Sequence, residues 1–226
     1  MKSHKIKPSE IEFAILAIDA VCVRINAGSL EVLLGKVDPQ STFKGCWALI
    51  GGLISPEETA EQAVGRHLKN KASIGTVYHE QLYTFSTIDR DPRGRVVSIA
   101  YLAPVHGDPQ QGREGKVETR WFPVSLLPKL AYDHDSIIAV ALERLRSKIR
   151  YTNIAQHLLP GEFTLSQLQA VYEVVLKQEV DKRNFRKKIL ATGLLRDTDH
   201  VLKEGVMRPA ALYSFASKKM EVVEIM

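Results

Sequence analysis

One short segment of the chain combines arginine and aspartate side chains at a density suited to recognising a phosphorylated sugar. It holds three arginines and two aspartates within seven positions: Asp89, Arg90, Asp91, Arg93 and Arg95. A guanidinium presents a fork of donors that matches phosphate oxygens, and a carboxylate accepts hydrogen bonds from ribose hydroxyls. The segment therefore predicts either a ligand-binding loop or a hairpin tip whose charges pair with one another in solvent. We call it the arginine loop.

A second segment, 182–188, carries five cations in seven residues and no acid: Lys182, Arg183, Arg186, Lys187 and Lys188. Helical spacing separates these cations from Phe185, Ile189 and Leu190, which predicts a basic outer side and an apolar inner side. A short, rigid, positively charged helix suits the DNA major groove, where Asn184 could read adenine. A solvated helix face is the alternative.

The elements around this basic helix have the order of a winged helix-turn-helix. Thr164 and Gln167 have the spacing of a capping box before a helix with an apolar stripe. The basic helix begins after Asp181, and two strands follow, at 194–198 and 211–215. Arg208, in the loop between these strands, is placed to touch phosphate or enter the minor groove as part of a wing.

The arginine loop must be positioned by the elements of the first 150 residues. Apolar strands at 11–24 and 30–36 are joined by a hairpin turn at Asn26-Ala27-Gly28. The sequence Ser55-Pro56-Glu57-Glu58 predicts the start of a helix that runs to about Lys71, with the serine as its cap. Further strands are expected at 81–88, 96–105 and 119–122, and a second helix at 135–150. Mixed strands and helices predict one α+β domain.

The pattern of the chain changes after residue 150. A stretch with Asn153, Pro160 and Gly161 shows little periodicity and predicts a linker. We therefore expect a first domain over 1–150, a linker over 151–162 and a winged domain over 163–226.

Composition narrows the functional classes. The chain has 226 residues, 45% of them hydrophobic and 25% charged, which excludes a disordered or collagen-like protein. Its net charge of +5 is small, so any affinity for nucleic acid must be local. Cys22 and Cys46 form neither a disulfide framework nor a zinc motif, which favours the reduced cytoplasm. The apolar run 13–18 is far shorter than the roughly 20 residues of a membrane span, so we expect no membrane partner.

The spacing of four residues resembles the Nudix box, G-x5-E-x7-R-E-U-x-E-E-x-G-U with U aliphatic: Gly52, Glu58, Arg66 and Leu68. In Nudix hydrolases the three glutamates after the arginine share one helix face and hold the Mg²⁺ that binds the diphosphate and activates water. His67, Asn70 and Lys71 stand at those positions here, and Lys71 brings a cation to the place of the ion. We therefore expect no bound metal, no cofactor and no catalytic residue.

Over about 13–215 the chain resembles the Nudix-related transcriptional regulators of the NrtR family. The resemblance implies an α+β fold, a Nudix-like mixed-sheet α/β/α sandwich followed by a winged helix-turn-helix. It implies a homodimeric repressor that binds a palindromic operator in double-stranded DNA, in some members over genes of NAD metabolism. ADP-ribose or a related sugar would bind to Arg66 and the arginine loop, and its binding would release the operator. The implied DNA contacts are Thr164, Ser166, Lys182, Arg183, Asn184, Arg186, Lys187 and Arg208.

Two other interpretations stay open from the sequence. Acidic residues outside the three altered positions could rebuild a metal site: Glu57, Glu58, Glu61, Glu80 and Glu118. The chain would then be a diverged hydrolase of ADP-ribose-like nucleoside diphosphates, and its second domain would serve dimerisation. Alternatively, the chain is a DNA-binding scaffold that responds to no ligand.

Overall fold

The computed structural model describes residues 13–108, 117–203 and 209–225. The elements of the first domain follow in chain order: β1 (Ile15–Asn26), β2 (Ser29–Lys36), β3 (Trp47–Ala48), β4 (Ile50–Leu53), α1 (Ala60–Ala72), β5 (Glu80–Phe85), β6 (Val96–Pro104), β7 (Thr119–Pro123) and α2 (His134–Tyr151). A short 3-10 helix (Ile154–Leu158) leads to the second group: β8 (Phe163–Thr164), α3 (Leu165–Leu176), α4 (Lys182–Ala191), β9 (Leu195–Leu202) and β10 (Ala210–Phe215).

Within the described ranges, the first seven strands form one mixed sheet in the order β3-β2-β1-β6-β5, with β4 added to β1 and β7 added to β2. The strands β1 and β6 are parallel, and the other pairs are antiparallel. Side chains alternate across the sheet, so Ile18 packs with Leu68 of α1 while Val21 packs on the α2 side with Ile137. This is the α/β/α sandwich with a mixed sheet that the sequence predicted.

The predicted turn between β1 and β2 is confirmed. Asn26 pairs with Ser29, and the two residues between them have positive φ, 46° at Ala27 and 75° at Gly28. A two-residue loop of this kind matches the twist of the strands it joins. The other predicted strands of this domain are also present, although β5 ends at Phe85, short of the expected 88.

The predicted start of α1 is wrong. The helix begins at Ala60, and its cap is Thr59, whose hydroxyl accepts a hydrogen bond from the Gln62 amide at 3.2 Å while the Gln62 side chain accepts one from Thr59. Ser55 lies in a preceding turn, where its amide donates to Glu58 Oε1 at 2.7 Å. The capping box at Thr59 satisfies two amides at once, whereas at Ser55 only the reverse bond from the Ser55 amide to Glu58 forms. Glu58 therefore lies before the helix rather than in its first turn.

The second group of elements matches the predicted winged helix-turn-helix. Thr164 and Gln167 form the expected capping box at the start of α3, and the Asp181 carboxylate accepts from the Asn184 amide at 2.8 Å to cap α4. Strands β8, β10 and β9 form a sheet beside the helices. Arg208 lies outside the described residues.

Leu190 of α4 was predicted to face inward, but it does not. Phe185 and Ile189 are buried, but Leu190 is 46% exposed. Leu190 follows Phe185 by five residues, which rotates it about 140° around the helix from that position. The apolar stripe of α4 is therefore narrower than the sequence suggested.

The predicted linker contains buried structure. Ile154, Ala155 and Leu158 of the 3-10 helix belong to the same core as α2, α3 and α4. The Asn153 side chain donates to the Lys219 carbonyl and accepts from the Glu221 amide, both at 2.8 Å. The domain boundaries at 150 and 163 stay predictions. In the described part of the chain, no helix has the length and apolar character needed to cross a membrane.

Candidate functional site

One end of the candidate functional site is formed by strand β4 and helix α1. The Lys71 ammonium donates to the Gly51 carbonyl, and His67 Nε2 lies 3.0 Å from the Leu53 carbonyl. Gly52 has φ 153°, and a Cβ at that position would come within 2.6 Å of the His67 ring. Burial lowers the pKa of His67, and the charges of Lys71 and Arg66 lower it further. The ring is therefore neutral near pH 7, and its Nε2 also lies 3.2 Å from Arg66 Nη2.

Arg66 is held by a carboxylate of its own chain. Its Nε and Nη2 donate to Glu58 at 2.8 and 2.5 Å, and Nη2 also donates to the Leu53 carbonyl at 3.0 Å. Hydrogen bonds from Arg66 and the Ser55 amide lower the pKa of Glu58 to about 2. Glu58 is thus ionised and fully engaged in fixing the loop before α1.

The side chains at this end do not fit a magnesium ion. His67 is bound to the Leu53 carbonyl, Asn70 is an exposed amide, and Lys71 places an ammonium on the one backbone oxygen that faces it. Mg²⁺ takes oxygen ligands, usually including carboxylates. Across 13–108, 117–203 and 209–225, no group of three or more histidine, cysteine or acidic side chains is arranged to hold a metal ion.

A buried cluster of charged groups lies between the sheet and the start of α2. Arg90 donates to both oxygens of Asp133, at 3.0 and 2.6 Å, and its Nη2 lies 3.5 Å from Asp19 Oδ2. The Arg90 side chain is only 3% exposed. Asp19 also accepts a hydrogen bond from Ser98 Oγ at 2.6 Å. A member of the arginine loop is therefore an internal tie between β1 and the N-terminus of α2.

His134 completes this cluster in a defined tautomer. The Leu49 amide donates to His134 Nδ1 at 2.9 Å, so the proton of the neutral ring lies on Nε2, which is 3.3 Å from Asp19 Oδ1. Burial acts to raise the pKa of Asp19, but His134, Ser98 and Arg90 together outweigh it, and the pKa lies below its ordinary value. Asp19 remains a carboxylate at neutral pH.

The exposed side of the arginine loop carries a guanidinium beside aromatic rings. Arg93 donates to both oxygens of Asp91, at 2.9 and 2.7 Å, yet its side chain is 61% exposed. Its guanidinium lies 5.5 Å from the Tyr132 ring centroid, and the Tyr132 ring packs against Phe43 at 4.4 Å. Hydrogen bonds from Arg93 lower the pKa of Asp91. A flat ring surface next to a cation can take the face of a base together with a phosphate.

The structure brings only part of the arginine loop together. Arg90, Asp91 and Arg93 meet the Tyr132-Asp133-His134 segment, whereas Asp89 is exposed and Arg95 donates to the carbonyls of Ser86 and Thr87. Arg95 thus closes the base of the hairpin. The ligand role of these residues and of Arg66 stays a prediction.

Six members of this site were not among the predicted contacts: Asp19, Phe43, Ser98, Tyr132, Asp133 and His134. A signal existed for one of them, because Asp19 interrupts the apolar run of β1 and a lone acid in a buried strand requires a partner. The sequence held no comparable signal for the rings, whose contact depends on the folded loops.

A separate cationic surface lies on α4. Lys182, Arg183, Asn184, Lys187 and Lys188 are exposed on it. The half-buried Arg186 donates from Nη2 to Ser166 Oγ at 3.1 Å, which links α4 to the start of α3. Thr164 is 7% exposed, and its hydroxyl already serves as the cap of α3. The predicted DNA contacts therefore divide into an exposed group on α4 and a group whose polar atoms hold the two helices together.

Comparison with known families matches both parts of the chain. A NUDIX domain model matches residues 16–142, and a model of the NrtR DNA-binding winged helix domain matches residues 155–215.

Two known proteins are similar in sequence. The chain is 32% identical over 215 residues to the ADPR responsive transcriptional repressor NtrR of Acinetobacter baylyi, an alignment that covers 92% of this chain and 84% of that protein. It is 37% identical over 123 residues to the ADP-ribose pyrophosphatase of Methanocaldococcus jannaschii, covering 54% of this chain and 70% of that enzyme.

Two solved structures of Shewanella oneidensis NrtR are also similar. The protein complexed with a 27mer DNA superimposes with a TM-score of 0.79 at 35% identity, covering 88% of this chain and 93% of that one. Its NUDIX domain complexed with ADP ribose superimposes with a TM-score of 0.54 at 34% identity, covering 62% of this chain and 94% of that one.

Proposed function

Because the chain belongs to the NrtR family of Nudix-related transcriptional regulators, we propose that it is a repressor that binds DNA through its winged domain and senses ADP-ribose or a related sugar through its Nudix domain. The observation that carries the DNA-binding half of this proposal is α4. Its exposed cations face away from Phe185 and Ile189, which anchor the helix in the core. No acid interrupts the sequence between Lys182 and Lys188.

The residues of the winged domain have different proposed roles in DNA recognition, some contacting bases and others phosphates. Lys182, Arg183, Asn184, Arg186 and Lys187 enter or flank the major groove, where arginine and asparagine read base edges and lysine meets phosphate. The other proposed contacts are Thr164, Ser166 and Arg208. Two chains form a homodimer and place two copies of α4 about one helical turn apart, so the operator is palindromic.

The effector site is the region around the arginine loop. The exposed Arg93 and the half-buried Tyr132 ring form a surface that suits a nucleotide sugar, and Arg90 holds that surface on α2 through Asp133. We assign ligand contacts to Arg66, Asp89, Arg90, Asp91, Arg93 and Arg95. We favour ADP-ribose as the effector because similar proteins of both kinds are connected with it. The regulator NtrR is ADPR responsive, the enzyme is an ADP-ribose pyrophosphatase, and the NUDIX domain of Shewanella oneidensis NrtR was solved in complex with ADP ribose.

The Nudix domain binds without hydrolysing. The carboxylates required for a metal are replaced at positions 67, 70 and 71, and Glu58 is engaged by Arg66. The second candidate function is a diverged hydrolase, which the similarity to an ADP-ribose pyrophosphatase favours. The two are separated by incubating the purified chain with ADP-ribose and Mg²⁺ or Mn²⁺: we expect no product, whereas turnover at about 1 s⁻¹ or faster would establish an enzyme.

The regulatory mechanism requires that ligand and operator influence one another's binding. By linkage, ADP-ribose must bind the DNA-free dimer more tightly than the DNA-bound dimer if it is to release the operator. The free cysteines Cys22 and Cys46 are buried and consistent with action in the cytoplasm.

The deciding experiment is a gel shift with the DNA upstream of the protein's own gene, titrated with ADP-ribose. We expect a specific complex that ADP-ribose dissociates. A complex that persists at saturating ADP-ribose, with calorimetry showing no binding of ADP-ribose or simple pentoses, would identify a ligand-insensitive DNA-binding protein instead.

A further inference from the structure

The formal charges around the candidate site sum to zero when the Lys71 ammonium is included. Arg66 is paired with Glu58, and Arg93 is paired with Asp91, so each of these pairs is neutral. Asp89 and Arg95 of the arginine loop cancel in formal charge, and the remaining linked groups are the carboxylates of Asp19 and Asp133 and the cations of Arg90 and Lys71. These four also sum to zero, so the site is neutral without any ion.

Lys71 supplies the charge that a divalent ion would otherwise bring. A glutamate at position 71 would leave the same groups with a net charge of about −2, which would repel a diphosphate unless a divalent cation bound there. Replacing a glutamate by a lysine changes the charge by two positive units, the same change as adding one divalent ion. The ammonium donates a hydrogen bond to the Gly51 carbonyl of β4, which holds it between β4 and α1.

The ammonium also keeps the means to bind an anion. It makes one hydrogen bond, to Gly51, and within the described ranges it forms no salt bridge within 4.0 Å. A lysine ammonium has three N–H donors, so two remain for a ligand. Asp19 interacts electrostatically with Lys71 and lies 3.5 Å from Arg90, so both cations act on one carboxylate. Lys71 belongs to α1 and Arg90 to the arginine loop, so this carboxylate couples the two segments.

We propose that the Lys71 ammonium takes the position of the divalent cation against the diphosphate of the effector, so that this Nudix domain binds its ligand without metal. The proposal rests on the proposed function, since it assumes an ADP-ribose-like effector. An ammonium offsets the charge of a phosphate but does not lower the pKa of a bound water as a divalent ion does. Lys71 therefore accounts for retained binding, and the loss of carboxylates at positions 67, 70 and 71 together accounts for absent turnover.

The test is calorimetric titration of the full-length protein with ADP-ribose, once in EDTA and once in excess Mg²⁺. Wild type should bind with the same affinity in both buffers. Lys71→Met keeps the length of the side chain and should lose about 10-fold to 100-fold in affinity, the usual cost of a charge-assisted hydrogen bond. Lys71→Arg should retain most of the affinity, and Lys71→Glu should bind more weakly in EDTA than Lys71→Met.

Lys69→Met is the matched control, because Lys69 is an exposed lysine on the same turn of α1. It should bind as wild type does, and circular dichroism should show that all variants are folded. Equal affinity of Lys71→Met and wild type would overturn the proposal, as would a wild-type protein that binds only with Mg²⁺. A wild type that binds no ADP-ribose in either buffer would overturn the proposed effector and the role of Lys71 with it.

Discussion

At the residue scale, the structure shows that buried charge is matched group by group. Arg90 has two carboxylates around it, and the Asp19 carboxylate receives hydrogen bonds from a hydroxyl and an imidazole. Such a group tolerates burial because every charge has a partner, and removal of one partner leaves another uncompensated. The arginine loop is therefore fixed by its buried member, Arg90, while Arg93 stays available on its surface.

The half-buried His157 has no such compensation. Its ring stacks on Tyr78 with centroids 4.2 Å apart, and its Nε2 is buried with no hydrogen-bond partner in the described part of the chain. Burial lowers its pKa to about 4, although the charge of Glu80 acts in the opposite direction. The folded protein thus keeps His157 neutral where the unfolded chain would protonate it.

We predict that His157 makes the protein less stable as the pH falls. Between its unfolded pKa of about 6.5 and its folded pKa of about 4, the unfolded state binds more protons, so the free energy of unfolding falls as the pH is lowered. Solvent screening of the partly exposed ring reduces this loss to on the order of 2 kcal/mol. His157→Phe keeps the stack on Tyr78 but cannot titrate. Urea unfolding at about pH 7.5 and about pH 4.5 should show a smaller loss of stability for the variant than for wild type. Equal losses would contradict the assignment.

At the element scale, the first helix begins where a reciprocal cap forms. Thr59→Ala should lower the free energy of unfolding by about 1 kcal/mol, because it removes the side chain that satisfies the Gln62 amide. Ser55→Ala should change it by less than about 0.5 kcal/mol, since the hydrogen bond of Ser55 to Glu58 uses the backbone amide. Chemical unfolding of the two variants decides between these caps, and a larger effect at Ser55 would contradict the structure.

The exposed arginines of α4 lead to a second prediction, about operator binding. Arg183→Ala with Arg186→Ala should weaken operator binding by about 100-fold or more, because each arginine contact to DNA is worth about 1–3 kcal/mol. Lys218→Ala with Lys219→Ala removes the same charge from exposed positions near the C-terminal segment and should have little effect. Gel shifts measure both affinities. Because Arg186 also binds Ser166, the single variant Arg183→Ala and a thermal melt guard against misfolding.

Most elements could be predicted from the sequence because their residues repeat with the period of a strand or a helix, as at β1, α2 and α3. The start of α1 could not, since Ser55-Pro56 fits a turn as well as a helix cap. The pairing inside the site was also beyond prediction: Asp19, Arg90 and Asp133 are far apart in the chain and meet only after the sheet forms. Leu190 was misplaced because neighbouring apolar residues do not all share one helix face.

At the scale of the whole molecule, the Nudix and winged parts share packed elements. The Lys148 ammonium of α2 binds Glu80 of β5, and Arg146 of α2 donates to the Val175 carbonyl of α3 at 3.3 Å. The same helix begins at His134, with Asp133 at its cap, beside the proposed effector site. We therefore expect a shift of α2 on ligand binding to reach α3, which supports α4, because α2 connects the proposed ligand loop to α3.

If two chains bind one operator, the spacing of its half-sites must match the separation of the two α4 helices. We predict that inserting about five base pairs between the half-sites, which rotates one of them by about half a turn, lowers the affinity far more than inserting about ten. Footprinting on the upstream DNA locates the half-sites, and gel shifts compare the two insertions. An operator insensitive to both would show that single chains bind independently.

The C-terminal segment contacts helices of both parts of the chain, a role that no sequence pattern indicated. Val223 and Ile225 donate to the carbonyls of Tyr151 and Arg150, and the same segment borders the last turn of α4. Residues 223–225 thus join the end of α2 to the region beside α4. If the proposed ligand signal passes through α2, weakening these contacts should reduce the effect of ligand on DNA release without changing any residue proposed to contact ligand or DNA.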